Sequence, residues 1–179
     1  TPLHLRCGLV LPNRFVKSAM SEGLATAHMF PNDRHVRLYE RWARGGAGLV
    51  VTGNVMIDRS HAAARGDVAV SDAPGPFRAW AESVTRHGVP FFVQLNHPGR
   101  QAPRALTREP VAPSAVALER ASRFFAPPRA LTPLEIDAIV ARFSTSAAFA
   151  RRVGFTGVEI HAAHGYLVSQ FLSPKANVR

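Results

Sequence analysis

The sequence predicts an α/β fold: an N-terminal β-hairpin and then about four βα units, the N-terminal half of a (β/α)8 TIM barrel spanning residues 1–179. Three observations carry that expectation. Apolar runs of strand length alternate with stretches whose apolar residues recur at helical spacing, giving the order β-α-β-α-β-α-β of a parallel sheet with right-handed crossovers. Polar residues cluster just beyond the C-terminal end of every strand, the layout of a barrel's active face. No G-x-G-x-x-G follows the first strand, and a doubly wound sheet would gather its polar groups at one switch point instead.

Each element has its own signal. Leu3-His4-Leu5 and Leu9-Val10-Leu11 alternate around Gly8 and read as the hairpin. Pro12 and Asn13 break that pattern ahead of a first strand at 14–20. Asn32 or Asp33 can cap a helix carrying Val36, Tyr39 and Ala43 at i, i+3 and i+7, with Leu38 and Trp42 alongside, and Gly45-Gly46 stops it. The continuous apolar run 47–52 is of the kind buried on both faces. Residues 76–86 place Phe77, Trp80, Ala81 and Val84 on one helical face, His87-Gly88 end it, and 89–95 form the third strand. Thr132-Pro133-Leu134-Glu135 is a strong helix start: Thr caps, Pro takes the first helical position, and Glu closes the capping box. Ile136, Ile139, Val140, Phe143 and Ala147 form that helix's apolar face, Gly154 terminates it, and 157–161 is the fourth strand. Between the third strand and the third helix, residues 99–130 carry Pro103, Pro110, Pro113, Pro127 and Pro128, which exclude a continuous helix or a central strand. A loop of that length in a compact domain is functional or mobile.

Composition narrows the class. With 46% hydrophobic and 19% charged residues the chain is globular. No apolar stretch approaches the roughly 20 residues of a membrane helix, and no charged segment leads into an apolar one at the start. The single cysteine, Cys7, excludes an internal disulfide and a multi-cysteine metal cluster, so a cytoplasmic location is expected. The formal charge of +10 comes almost wholly from arginines scattered between Arg6 and Arg179. They form no basic run interleaved with aromatics, so neither a nucleic acid nor a membrane is expected as partner.

Two clusters carry chemistry. His161-Ala162-Ala163-His164-Gly165-Tyr166 could present two metal ligands if helical, but the segment follows a strand and no third ligand is evident, so no metal is expected. Two histidines beside a tyrosine also suit a site that binds a carbonyl oxygen or oxyanion, with the phenol as proton donor. In Gln94-Leu95-Asn96-His97-Pro98-Gly99-Arg100, the Gln94 amide both donates and accepts and can read the edge of a heterocycle such as a flavin or pterin. Cys7 lies in the hairpin away from any activating base and reads as a buried or inert thiol.

The stretches 11–20, 44–54, 94–100, 112–115 and 154–179, including Gly157-Val-Glu-Ile-His-Ala-Ala-His-Gly-Tyr166 and Gln170-Phe-Leu-Ser-Pro174, resemble the N-terminal half of the old yellow enzyme family of FMN-dependent NADH:flavin oxidoreductases. That region is shared with 2,4-dienoyl-CoA reductase. The resemblance covers essentially the whole chain and implies a function: NAD(P)H reduces FMN, and hydride from FMN N5 reduces the C=C bond of an activated alkene. It implies roles as well. Ser18, Ala19 and Met20 lie against the flavin, and Ser21 tunes its redox potential through O4. Asn54 falls where the backbone approaches the isoalloxazine, and Gln94 where an amide pairs with the pyrimidine edge. His161 and His164 match the pair that holds the substrate's carbonyl oxygen or a phenolate inhibitor, and Tyr166 the donor of a proton to the α-carbon. The loops that bind the FMN phosphate and any iron–sulfur segment would lie beyond residue 179. The alternative is a half-barrel fragment without activity, which self-associates or needs a complementing C-terminal half.

Overall fold

A computed structural model describes residues 1–179, the side chain of Arg120 excepted. β1 (Leu3–His4) and β2 (Val10–Leu11) form the expected hairpin, with Leu3 opposite Leu11 and His4 opposite Val10. The chain then runs through β3 (Val16–Lys17), α1 (Asp33–Arg44), β4 (Leu49–Met56), β5 (Val68–Ala69), α2 (Pro74–Thr85) and β6 (Phe91–Asn96). After these come β7 (Val111–Ala112), β8 (Arg129–Ala130), α3 (Pro133–Arg152), β9 (Gly157–Ile160) and α4 (Leu167–Leu172).

The principal sheet has the spatial order β3-β4-β6-β9 with every pair parallel, and β5 extends it beside the end of β4. This order chooses between the two α/β architectures. A doubly wound sheet reverses direction at a switch point, whereas these strands advance one neighbour at a time, as successive units of a barrel do.

The core lies between the sheet and the helices. Tyr39 of α1, Phe77 and Trp80 of α2, Phe91 of β6, and Phe149 and Phe155 around the end of α3 are all buried in one cluster. Trp80 is at its centre, fully buried and edge-on to Tyr39, Phe91 and Phe155 with ring centroids 5.2, 5.8 and 5.6 Å away. In α1 the buried stripe is His35, Tyr39 and Ala43, so Val36 sits on its flank, half-buried. His35 takes this place because it also closes the cap: Asn32 accepts from backbone N–H groups of the first turn, while His35 Nδ1 accepts from Asn32 N–H.

Thr132 and Glu135 form the expected capping box of α3. Thr132 Oγ1 accepts from Glu135 N–H at 3.3 Å, and Glu135 accepts in return from Thr132 N–H at 2.7 Å. Replacing Thr132 with alanine removes one of these partners, and we expect a loss of about 1 kcal/mol in a urea melt, with the slope unchanged.

Several boundaries differ from the sequence expectation. The first strand pairs only at Val16 and Lys17, and residues 18–20 continue without ladder bonds. The second begins at Leu49 and runs on to Met56, with a register shift against β6 between Val51 and Asn54. Residues 99–130 are not wholly irregular: they hold two 3-10 turns, and β7 and β8 pair in parallel across them. β5 and α4 were not expected, being too short for a hydrophobic period to register. Cys7 is exposed, not buried. No helix among the described residues is long and apolar enough to cross a membrane.

Candidate active site

The C-terminal ends of β3, β4, β6 and β9 border one cavity of about 660 Å³. The segment after β3 brings Ser18, Ala19, Met20 and Ser21 to it, β4 brings Asn54, and β6 brings Gln94. β9 and its following turn bring His161, His164 and Tyr166. All nine residues singled out in the sequence therefore line the same space.

The segment after β3 is fastened to β4 from both sides. On the cavity side Ser21 Oγ donates to Asn54 Oδ1. On the far side the Glu22 carboxylate accepts from Gly53 N–H at 3.0 Å and from the Tyr39 hydroxyl of α1. Burial pushes the Glu22 carboxyl above its ordinary range. Lys17 stands 4.2 Å over the Trp42 ring and donates to Val51 O at 2.7 Å, and burial lowers it to about 8.

Asn54, Gln94 and Glu159 are ladder partners on three adjacent strands, so their side chains share one face of the sheet. Gln94 Nε2 donates to Glu159 Oε1 at 2.6 Å, and no described residue donates to its Oε1. Beneath it, Thr52 Oγ1 accepts from Gln94 N–H at 3.0 Å and holds the β4–β6 step where the register shifts.

The histidines form a direct pair. His164 Nδ1 lies 3.3 Å from His161 Nε2, and the His161 ring is edge-on to Tyr166 with centroids 4.9 Å apart. His161 Nδ1 accepts from Ala163 N–H at 3.3 Å, so the neutral ring that fits this pattern carries its proton on Nε2. Burial first, and the neighbouring His164 second, lower the His161 pKa and keep the ring uncharged at neutral pH. Burial first, and the Asp67 carboxylate second, raise the Tyr166 pKa, so the phenol holds its proton. The site thus offers an imidazole pair and a protonated hydroxyl beside one another, a set suited to an oxygen that gains charge.

Residues 161–166 form a turn and not a helix, so the helical spacing a histidine metal pair would use is absent. Asp58, His61 and His97 do converge, with ligand atoms within 4.8 Å of one another. Each already has an internal partner: Arg142 pairs with Asp58, Ser60 Oγ lies 2.9 Å from His61 Nδ1, and Gly99 N–H donates to His97 Nδ1 at 3.0 Å. The guanidinium at the only carboxylate makes this a latch between the end of β4 and α3 and a poor cation site.

Glu159 on the cavity wall and Glu22 behind the segment that follows β3 are the groups that the sequence reading passed over. Glu159 was accessible in principle, because it alternates with His161 along a strand and so shares its face. Glu22 has no such signal, since only the fold brings it to Gly53 and Tyr39.

The family profile described as "NADH:flavin oxidoreductase / NADH oxidase family" matches residues 1–179. The chain belongs to that family. Members similar to it include the NADH-dependent flavin oxidoreductase iliE of Hypocrea jecorina, 41% identical over an alignment of 198 positions that covers 99% of this chain and 49% of that protein. Among solved structures, the old yellow enzyme homologue from Zymomonas mobilis superposes with a TM-score of 0.88 at 28% identity, covering 99% of this chain and 52% of that one. The old yellow enzyme from Trypanosoma cruzi superposes at 0.90 with 26% identity, covering 99% and 54%. The chain therefore spans about half the length of the flavin oxidoreductases it matches. Its four parallel strands form part of a barrel of this old yellow enzyme type.

Proposed function

We propose that this chain supplies the first half of an FMN-binding barrel that reduces the C=C bond of a small activated alkene at the expense of NAD(P)H. One observation carries the reading: a histidine pair, a protonated tyrosine and an amide with a spare acceptor meet at one cavity over the strand ends.

The residues fit a flavin. The Gln94 amide has an open acceptor for a ring N–H, and the Ser21–Asn54 pair offers polar contact on the neighbouring strand. Residues 18–20 approach without ladder bonds and can lie along a flat ring. When bound, FMN supplies the hydride chemistry, from NAD(P)H to the β-carbon of the alkene. The chain's own residues do the rest. His161 and His164 hold the substrate's carbonyl oxygen and stabilise the charge it gains, and Tyr166 releases its proton to the α-carbon. Asn54 and Ser21 set the environment of the ring, and Ala19 and Met20 back it.

A second reading has its own observation. Ile160 is 45% exposed and lies on β9 at the sheet's edge, and Leu134 and Val140 of α3 are 81% and 60% exposed. In the FMN-barrel reading further barrel units cover them. In the second, this chain alone is an inactive half that self-associates or awaits a complementing chain.

The absorbance spectrum of the purified protein separates the two. A flavin band near ~450 nm that bleaches on anaerobic addition of NADH or NADPH, with FMN released on denaturation, supports the oxidoreductase. A colourless protein that takes up no added FMN, and that sediments as an aggregate or oligomer, supports the inactive half.

A further inference from the structure

Residues 161–166 leave β9 and reach α4 through two successive left-handed residues, His164 at φ 56° and Gly165 at φ 73°. A histidine stays in that region only where its surroundings hold it there. Here the surroundings are two carboxamides. Gln101 Nε2 donates to the His164 carbonyl at 2.7 Å, and Gln170 Nε2 donates to the Gly165 carbonyl at 2.7 Å.

Each carbonyl of the left-handed pair thus has its own amide, one from the 3-10 turn after β6 and one from α4. Gln170 is 1% exposed and spends its remaining capacity on that same turn. Its Nε2 also reaches Pro98 O at 3.2 Å, and its Oε1 accepts from Arg100 N–H at 3.3 Å. The backbone is shaped around both amides. A Cβ on Gly165 would lie 2.6 Å from Gln101 Nε2, and one on Gly99 would lie 2.4 Å from Gln170 Oε1. Leu167 N–H, donating to His97 O at 3.0 Å, closes the junction of the two loops.

We propose that Gln101 and Gln170 are positioning residues for His164, holding the left-handed turn that sets its imidazole 3.3 Å from His161. The inference rests on the reading of the histidine pair as the anchor of a substrate oxygen. Neither amide lines the cavity, so both act through the backbone of residues 164 and 165. Without the Gln101 amide the His164 carbonyl loses its side-chain donor. The turn can then relax toward right-handed values, taking the imidazole away from its partner.

The test uses the flavin-loaded protein and 4-hydroxybenzaldehyde, a phenol whose binding is followed through the change in flavin absorbance. Gln101→Ala is expected to weaken its binding about three- to tenfold, the worth of one hydrogen bond. In a His164→Ala background the same substitution changes nothing further, because effects that act through one residue do not add. Gln101→Met, which keeps the stem and removes the donor, follows Gln101→Ala and takes its place if alanine disturbs folding. Gln101 variants that bind the phenol like the parent, or that add their full effect to His164→Ala, overturn the inference. His164→Ala that binds the phenol as tightly as the parent overturns the anchor reading itself, and the positioning role with it.

Discussion

Tyr166→Phe is expected to leave flavin reduction by NAD(P)H intact and to lower alkene reduction by about 10²–10⁴-fold, the span attached to a positioned proton donor. The hydroxyl is held in its protonated form by burial and by Asp67, which is the form a donor needs. Phenylalanine keeps the edge-on packing against His161, so the histidine pair stays in place and only the proton is lost. Stopped-flow measurement of the two half-reactions checks this. Loss of both would place Tyr166 in the cofactor site and contradict its role as donor.

Trp80→Ala destabilises the fold by about 3–5 kcal/mol, a large part of the 5–15 kcal/mol by which a domain is stable. Trp80 is fully buried and meets Tyr39, Phe91 and Phe155 edge-on, so truncation removes contacts with α1, the sheet and the loop after α3 together. Its indole N–H has no partner among the described residues. Trp80→Phe therefore gives up no hydrogen bond and costs much less than alanine. Urea midpoints of the two variants, at equal slopes, test the ordering. Equal losses for both would mean that the indole N–H is bonded after all, to water in a packed site.

These two residues were readable from the sequence for different reasons. Trp80 stood on the face shared by Phe77, Ala81 and Val84, and all four are buried in α2. Tyr166 stood in a motif that carried a family resemblance, and the structure places it on the cavity beside His161 and His164. The α3 start was equally local: Thr132, Pro133 and Glu135 are within one turn of one another, and the capping box forms as written. Where the period alone was used, the result was less sharp. Val140 looked like a core position of α3 and is 60% exposed.

The polar architecture behind the site was not readable. Gln94 and Glu159 are 65 residues apart, Gln101 and His164 are 63 apart, and Arg142 reaches Asp58 across 84 residues. Such pairs leave no local pattern, since an amide or carboxylate looks the same in sequence whether it faces water or another strand.

By itself the sequence determined the order of the elements, the helix starts and stops, and which side chains gather at the strand ends. Those features follow from propensity, capping and the two hydrophobic periods, all of which act within a few residues. Only the tertiary structure decided the strand order β3-β4-β6-β9, the extension of β4 to Met56, the short elements β5 and α4, and the left-handed turn at His164. Each of these depends on a partner distant in the chain: a neighbouring strand that supplies the ladder, or an amide that captures a carbonyl. The energy that selects them exists only once the strands are side by side.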